Sequence, residues 1–356
     1  MKSFLRTLAK SLTLSGLLLS TSPSVATTST TTSASATTPT ASAISAHVTM
    51  CVYDPIGASG PLFQSFGYFK TEALAWGVEI DLKAYNDERI AAEDFKAGLC
   101  DLVNVPGFRA RAFNRFTGTI DSIGALPTYE HLKIVLQTLA SEKAAPLMVS
   151  GDYEVISIIP AGAIFMFVSD KNIRSPETMA GKTIAVLDNA PELPKLVAQA
   201  GMTPVASTLA NLYSKFNNHS VDITAGPALV YEPMELYKGL EPNGGILDFP
   251  FMQATIQVLG RHSKLPPGFG LRARQYGDQT FEQALRMIKI SETGIPEKYW
   301  VRVPREDSIA WSEVFRQNRL ALRKENIYDS KALTLFRRVR CKLEPSLPEC
   351  TANDKE

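Results

Sequence analysis

The chain carries almost no excess charge: 37 Lys and Arg stand against 36 Asp and Glu in 356 residues, a formal net charge of +1. That balance gives no electrostatic drive toward a polyanion, so nucleic acid is excluded as an expected partner. Histidine is scarce too. His47, His131, His219 and His262 are scattered, and none stands at ligand spacing from a Cys, an Asp or a second His, so no metal site is expected. Phosphate-loop, dinucleotide and nucleophile-elbow motifs are missing, which leaves no cofactor and no catalytic residue to assign. Long apolar runs are also missing. The most apolar stretch, Val155–Val168, is broken by Pro160 and Gly162 and falls short of the roughly 20 residues a membrane helix needs. A hydrophobic content of 45% with 21% charged residues is ordinary for a globular protein and excludes disorder of the whole chain.

The first 26 residues read as a secretory signal. Lys2, Arg6 and Lys10 form a basic start, Leu12–Leu19 a short apolar run, and Ser24-Val25-Ala26 a small-residue cleavage site. Cleavage removes three bases and no acid, and no lipid-anchor cysteine follows. Residues 27–46, almost wholly Thr, Ser, Ala and Pro, read as a disordered spacer. Export to the periplasm implies an oxidising compartment in which the four cysteines can pair. Cys341 and Cys350, flanking a Pro-containing loop, are the expected local bridge. Cys51 and Cys100 either pair between neighbouring strands or remain buried thiols.

From His47 onward the pattern alternates short apolar runs with helical segments. His47–Tyr53, Glu79–Ala84 and Cys100–Val105 read as strands, separated by helices near Leu62–Trp76 and Glu88–Ala97. The middle reads as helix at His131–Leu139 and Ser141–Val149. Tyr153–Ile159 and Ala163–Val168 read as two strands, and Leu229–Tyr237 as a helix. A long strand is expected within Gly244–Arg261, followed by a mostly helical remainder. This punctuation predicts an α/β chain with parallel sheets, whose ligands sit beyond the carboxyl ends of the strands.

Candidate binding residues follow from those strand ends. Asp54 and Ser59 belong to a Gly-rich loop that either offers backbone N–H groups to an anion or simply makes a tight turn. Asn86 and Glu88 follow the second strand. Arg109 and Arg111 follow the third, where a guanidinium either forks onto a carboxylate of the ligand or pairs with nearby acids. Asp188 and Asn189 end a later strand and either bind a polar group or cap the next helix. Tyr231 and Phe165 either stack on a ligand or belong to the core, with the core favoured for Phe165. Gln253, on the returning strand, completes the set.

One run of motifs resembles the second lobe of TRAP-type periplasmic solute-binding proteins. It is Ile173-Arg174-Ser175-Pro176 with Met179, Gly181, Ile184 and Val186, followed by Leu212-Tyr213, Phe216, Val221-Asp222 and Gly226-Pro227. A narrower resemblance, carried by Met50–Gly60, Lys83–Asp101 and Phe113–Leu132, is to the AdeT-type putative solute-binding proteins, often labelled components of RND-type multidrug efflux. The resemblance implies a two-lobed, type II-like binding fold, each lobe a mostly parallel sheet flanked by helices, with C-terminal helices bracing both. The implied lobes are 47–164 with 252–285, and 165–251 with 286–340, leaving 341–356 as a tail. It implies a small polar and potentially anionic solute held between the lobes, with a membrane permease or an efflux complex as partner. The alternative is a periplasmic efflux accessory. A pump subunit is ruled out by the missing membrane helices. The arginine that TRAP-type proteins use to pair a ligand carboxylate falls here at Ala185, and a second at Phe165, so an anion would need Arg109 or Arg111 instead.

Overall fold

A computed structural model describes residues 44–188, 190, 192–352 and 356. The signal sequence, nearly all of the spacer, and Asn189 lie outside the described residues. Eleven strands are found among the described residues: β1 Ala46–Tyr53, β2 Val78–Tyr85, β3 Leu102–Pro106, β4 Val149–Ser150, β5 Tyr153–Val168, β6 Thr183–Leu187, β7 Thr203–Ser207, β8 Ile223–Pro227, β9 Gly245–Leu247, β10 Met252–Arg261 and β11 Trp300–Val301. They form one sheet, in order β2-β1-β3-β10-β5-β8-β6-β7, with β4, β9 and β11 added at the side. β1 is parallel to β2 and β3, and β6 is parallel to β7 and β8. Two parallel α/β halves are thus joined through the antiparallel pair β5 and β10.

Residues 153–168 form one long strand rather than the two expected. Pro160 has no N–H to give, yet the ladder continues past it because β10 runs alongside from Tyr153 to Ile164. The irregularity is absorbed as a register shift between Ala254 and Thr255 opposite Gly162 and Pro160. Just beyond, the Ala163 N–H donates to the Tyr129 hydroxyl (2.7 Å), which donates to Glu292 (2.5 Å). The helix expected over 229–237 reduces to a short turn at Ala228–Val230, with Tyr237–Leu240 helical beyond it. Pro233 withholds a donor in its middle, and Glu235 takes a positive φ of 51°. The strand expected within 244–261 is divided by Asp248–Phe251, which contains Pro250.

The motif Val221-Asp222 has a structural role. The Asp222 carboxylate accepts from the N–H and hydroxyl of Thr183, both at 2.8 Å, and so ties the start of β6 to the start of β8. Burial alone would raise this carboxyl, but the Thr183 hydrogen bonds outweigh it and hold the pKa below the usual range. Ser175 and Thr178 form a capping box over the short helix Pro176–Met179.

The C-terminal helices cross between the halves. In helix Arg305–Lys324, Trp311 and Phe315 pack with Ile173 and Met179 of the second half, while Leu322 joins the core of the first. Helix Ser330–Leu343, expected with the second lobe, packs on the first: Leu333 and Phe336 share a core with Leu132 and Leu136. The described residues of the expected tail, 341–352 and 356, fold back. Cys341 and Cys350 are bridged, with Cα atoms 5.6 Å apart, and so are Cys51 and Cys100, at 5.8 Å.

Candidate functional site

A cavity of about 410 Å³ opens where the two halves meet, within the size range of small-molecule sites, about 300–1,000 Å³. Its floor is the strand crossing: Ile159, Pro160, Ala161 and Ile164 of β5 with Met252 and Ala254 of β10. These lining positions need not alternate strictly, because the bulge opposite Gly162 turns neighbouring residues toward the same side. One wall comes from the end of β1 and the following loop, Tyr53-Asp54-Pro55-Ile56, with Phe108 and Ile123. The facing wall comes from Ala185 and Leu187 at the end of β6, from Leu212 and Tyr213, and from Ala225 and Met234. No Lys, Arg or His is among the described residues that line it.

Both carboxylates on the wall are already engaged. Asp54 is buried at 1% exposure. Its oxygens accept from the backbone N–H groups of Ile56 (2.8 Å), Leu62 (2.8 Å) and Phe63 (3.0 Å). The last two open helix Pro61–Ala75, so the donors that a bound anion would seek are spent on Asp54. Gly60 is needed there, since a Cβ would lie 2.0 Å from the Asp54 carboxylate. Asp121 accepts from the Thr255 N–H (3.1 Å) and hydroxyl (2.5 Å) and sits against Gly107, where a Cβ would lie 2.3 Å from it.

The remaining polar groups of note are two phenols, Tyr53 from one half and Tyr213 from the other. Burial pushes both well above the ordinary tyrosine range, with Glu88 adding to the effect at Tyr53, so both stay neutral hydroxyls at physiological pH.

Of the residues expected in the site, Asp54 lines the cavity. The others do not. Arg109 is held by Glu88 at 2.9 Å, with both side chains largely buried. Arg111 lies over the Tyr328 ring, 5.0 Å from its centroid, and its Nε donates to the Gly118 carbonyl (3.3 Å). Both guanidiniums are thus engaged within the protein, one by a local acid and the other by the Tyr328 ring and the carbonyl that ends helix Arg115–Gly118. Ser59 and Asn86 are exposed. Asp188 is exposed at the end of β6, where its field and that of Glu88 add to the stronger hold of Asp87 in raising the Arg89 pKa. Arg89, on the first half, is thus within electrostatic reach of Asp188 on the second. Phe165 packs edge-on to Trp300 at 5.1 Å, and Tyr231 packs among Tyr237 and Tyr299, so both belong to the core. Gln253 is buried on β10 opposite Ala163, with its Oε1 lacking a partner among the described residues. Tyr53, Leu212 and Tyr213 were the less legible members of the site. Tyr53 directly precedes Asp54, and Leu212-Tyr213 is part of the motif that carries the resemblance.

Among the described residues no helix is long and apolar enough to cross a membrane, and no cluster of His, Cys, Asp or Glu could hold a metal ion. Two α/β halves, a paired long-strand crossover and a cavity at the crossing define a two-lobed α/β fold. Solved structures agree on the fold. A TRAP periplasmic solute-binding protein from Haemophilus influenzae with bound L-gulonate superposes with a TM-score of 0.67 at 12% identity, covering 83% of this chain and 98% of that one. One from Desulfovibrio salexigens with bound orotic acid gives 0.62 at 16% identity, covering 83% and 99%. The chain belongs to the solute-binding protein AdeT 1/2 family, whose model matches residues 70–355. It is 38% identical over 304 residues to the probable solute-binding protein AdeT1 of Acinetobacter baumannii, covering 85% of this chain and all of that one. To the probable solute-binding protein AdeT2 of the same organism it is 26% identical over 233 residues, covering 65% and 98%.

Proposed function

We propose that the chain is exported to the periplasm, captures one small solute at the strand crossing, and hands it to a membrane transporter. The observation that carries this reading is the 410 Å³ cavity walled by both halves, since a solute there touches each and favours their approach. The reading is of binding without chemistry, supported by a solute-binding protein family match and by a wall whose described residues place no nucleophile beside a base. A second reading, a periplasmic accessory to multidrug efflux, draws support from the apolar wall, which suits hydrophobic cargo.

A thermal-shift screen of the purified chain against a metabolite and drug library tests capture. A true solute at 100 times its dissociation constant adds about 2.7 kcal/mol of stability, so at least one compound should raise the melting temperature in a saturable manner. A flat response across the library would contradict solute capture.

A further inference from the structure

We propose that the solute is uncharged and largely hydrocarbon or aromatic, with one or two hydrogen-bonding atoms that meet the hydroxyls of Tyr53 and Tyr213. This rests on the capture reading above and narrows it to a ligand class. Three observations converge on it. The cavity wall is built of aliphatic and aromatic side chains and proline, with no cation among the described lining residues. Its two carboxylates are turned to internal donors, Asp54 to three backbone N–H groups and Asp121 to Thr255, so a cationic solute would have to displace those donors to pair with either, and their charge repels an anion. The guanidiniums of Arg89 and Arg109, on the helices that follow β2 and β3, are committed to Asp87 and Glu88. An anion entering this space surrenders its hydration and meets no countercharge, which is the costliest way to bury an ion. An apolar molecule surrenders only unfavourable hydration. The phenols then supply orientation, because each can donate to a carbonyl or ether oxygen and accept from an N–H.

The test uses N-phenyl-1-naphthylamine, a neutral aromatic amine whose fluorescence rises in apolar surroundings, with succinate and orotate as anionic counterparts followed by thermal shift. The unmodified chain should bind the dye saturably and show no stabilisation by either carboxylate. Tyr213→Phe should weaken the dye by about 2- to 10-fold, the worth of one neutral hydrogen bond. Ala225→Phe, which fills the cavity from β8, should weaken it at least tenfold. Ala185→Arg, which places a cation in the wall, should weaken the dye and make succinate stabilising; if that variant does not fold, Ala225→Phe still decides. Stabilisation of the unmodified chain by succinate or orotate without dye binding would overturn the ligand class and leave capture standing. Dye fluorescence undiminished in Ala225→Phe would also overturn it. Silence toward the dye would overturn the ligand class, while the library screen above decides capture separately.

Discussion

Replacing Arg340 with methionine should cost about 3–5 kcal/mol of stability, the usual penalty for breaking a buried ion pair and stranding its partners. Arg340 is 2% exposed. It forks onto Glu349 at 2.5 and 2.7 Å and reaches Glu356 at 2.7 Å, while its Nη1 donates to the Ala125 carbonyl at 2.6 Å. Arg319 completes the cluster, donating to Glu356 (2.7 Å) and to the Ile123 carbonyl (2.9 Å). The two arginines therefore fasten the residues after the last long helix, and also the loop that carries Ile123 to the cavity wall. Methionine fills a similar volume but leaves the Glu349 carboxylate and the Ala125 carbonyl without the Arg340 donors, and Glu356 with Arg319 alone.

The same cluster sets an acid limit. Burial alone would raise the Glu349 pKa, but the hydrogen bonds and charge of Arg340, with Arg319 and Arg316, outweigh it and hold the carboxyl below its usual range. A depressed folded-state pKa contributes stability that is complete above the unfolded value, about 4.3, and is lost as pH falls through the lower folded value. Urea unfolding across pH 3–7 should show that loss in the unmodified chain and a shallower slope in Arg340→Met. Equal stability of the two at neutral pH would refute the clasp.

Asp54→Ala should cost about 3 kcal/mol and abolish solute binding with it. The carboxylate satisfies three backbone donors, two of them at the start of helix Pro61–Ala75. Charge-assisted bonds are worth about 1.5–3 kcal/mol each when intact, and buried donors left unmade add a further penalty. Helix fraying exposes part of these groups to water, which keeps the total below a simple sum. Because Tyr53, Asp54, Pro55 and Ile56 all line the cavity, loosening this loop opens one wall. Asp54→Asn, which keeps one acceptor oxygen, should fall between the two. Denaturation midpoints and dye titration on the folded fraction check both effects. A loss under roughly 0.5 kcal/mol, the range of ordinary surface substitutions, would contradict the capping role.

Much of the scaffold was legible from local pattern. The βαβ start, the Ser175-Pro176 helix entry and the Gly-terminated segments depend on neighbours a few residues away, which is where periodicity and capping chemistry speak. The site was less legible, for physical reasons. Arg109 and Arg111 stand at a strand end, as ligand-binding arginines do, but spacing names a position and not a partner. Glu88, 21 residues earlier, takes Arg109, and Tyr328, more than 200 residues later, takes Arg111. Similarly, Pro160 reads as a strand break until β10 is laid beside it. The apolar wall is assembled from single residues of many segments, each indistinguishable in sequence from core. Ala185 was the exception: the sequence marks it as a small apolar residue where the resembling family carries a cation, and the structure places it in the cavity wall.

Whether one solute sits at the strand crossing between the halves is read most directly by native mass spectrometry. A ligand returned by the library screen is mixed with the unmodified chain and with Ala225→Phe, whose melting temperature verifies its fold. The account predicts one molecule per chain in the first and none retained in the second. Equal occupancy of both would place the solute elsewhere and contradict the account.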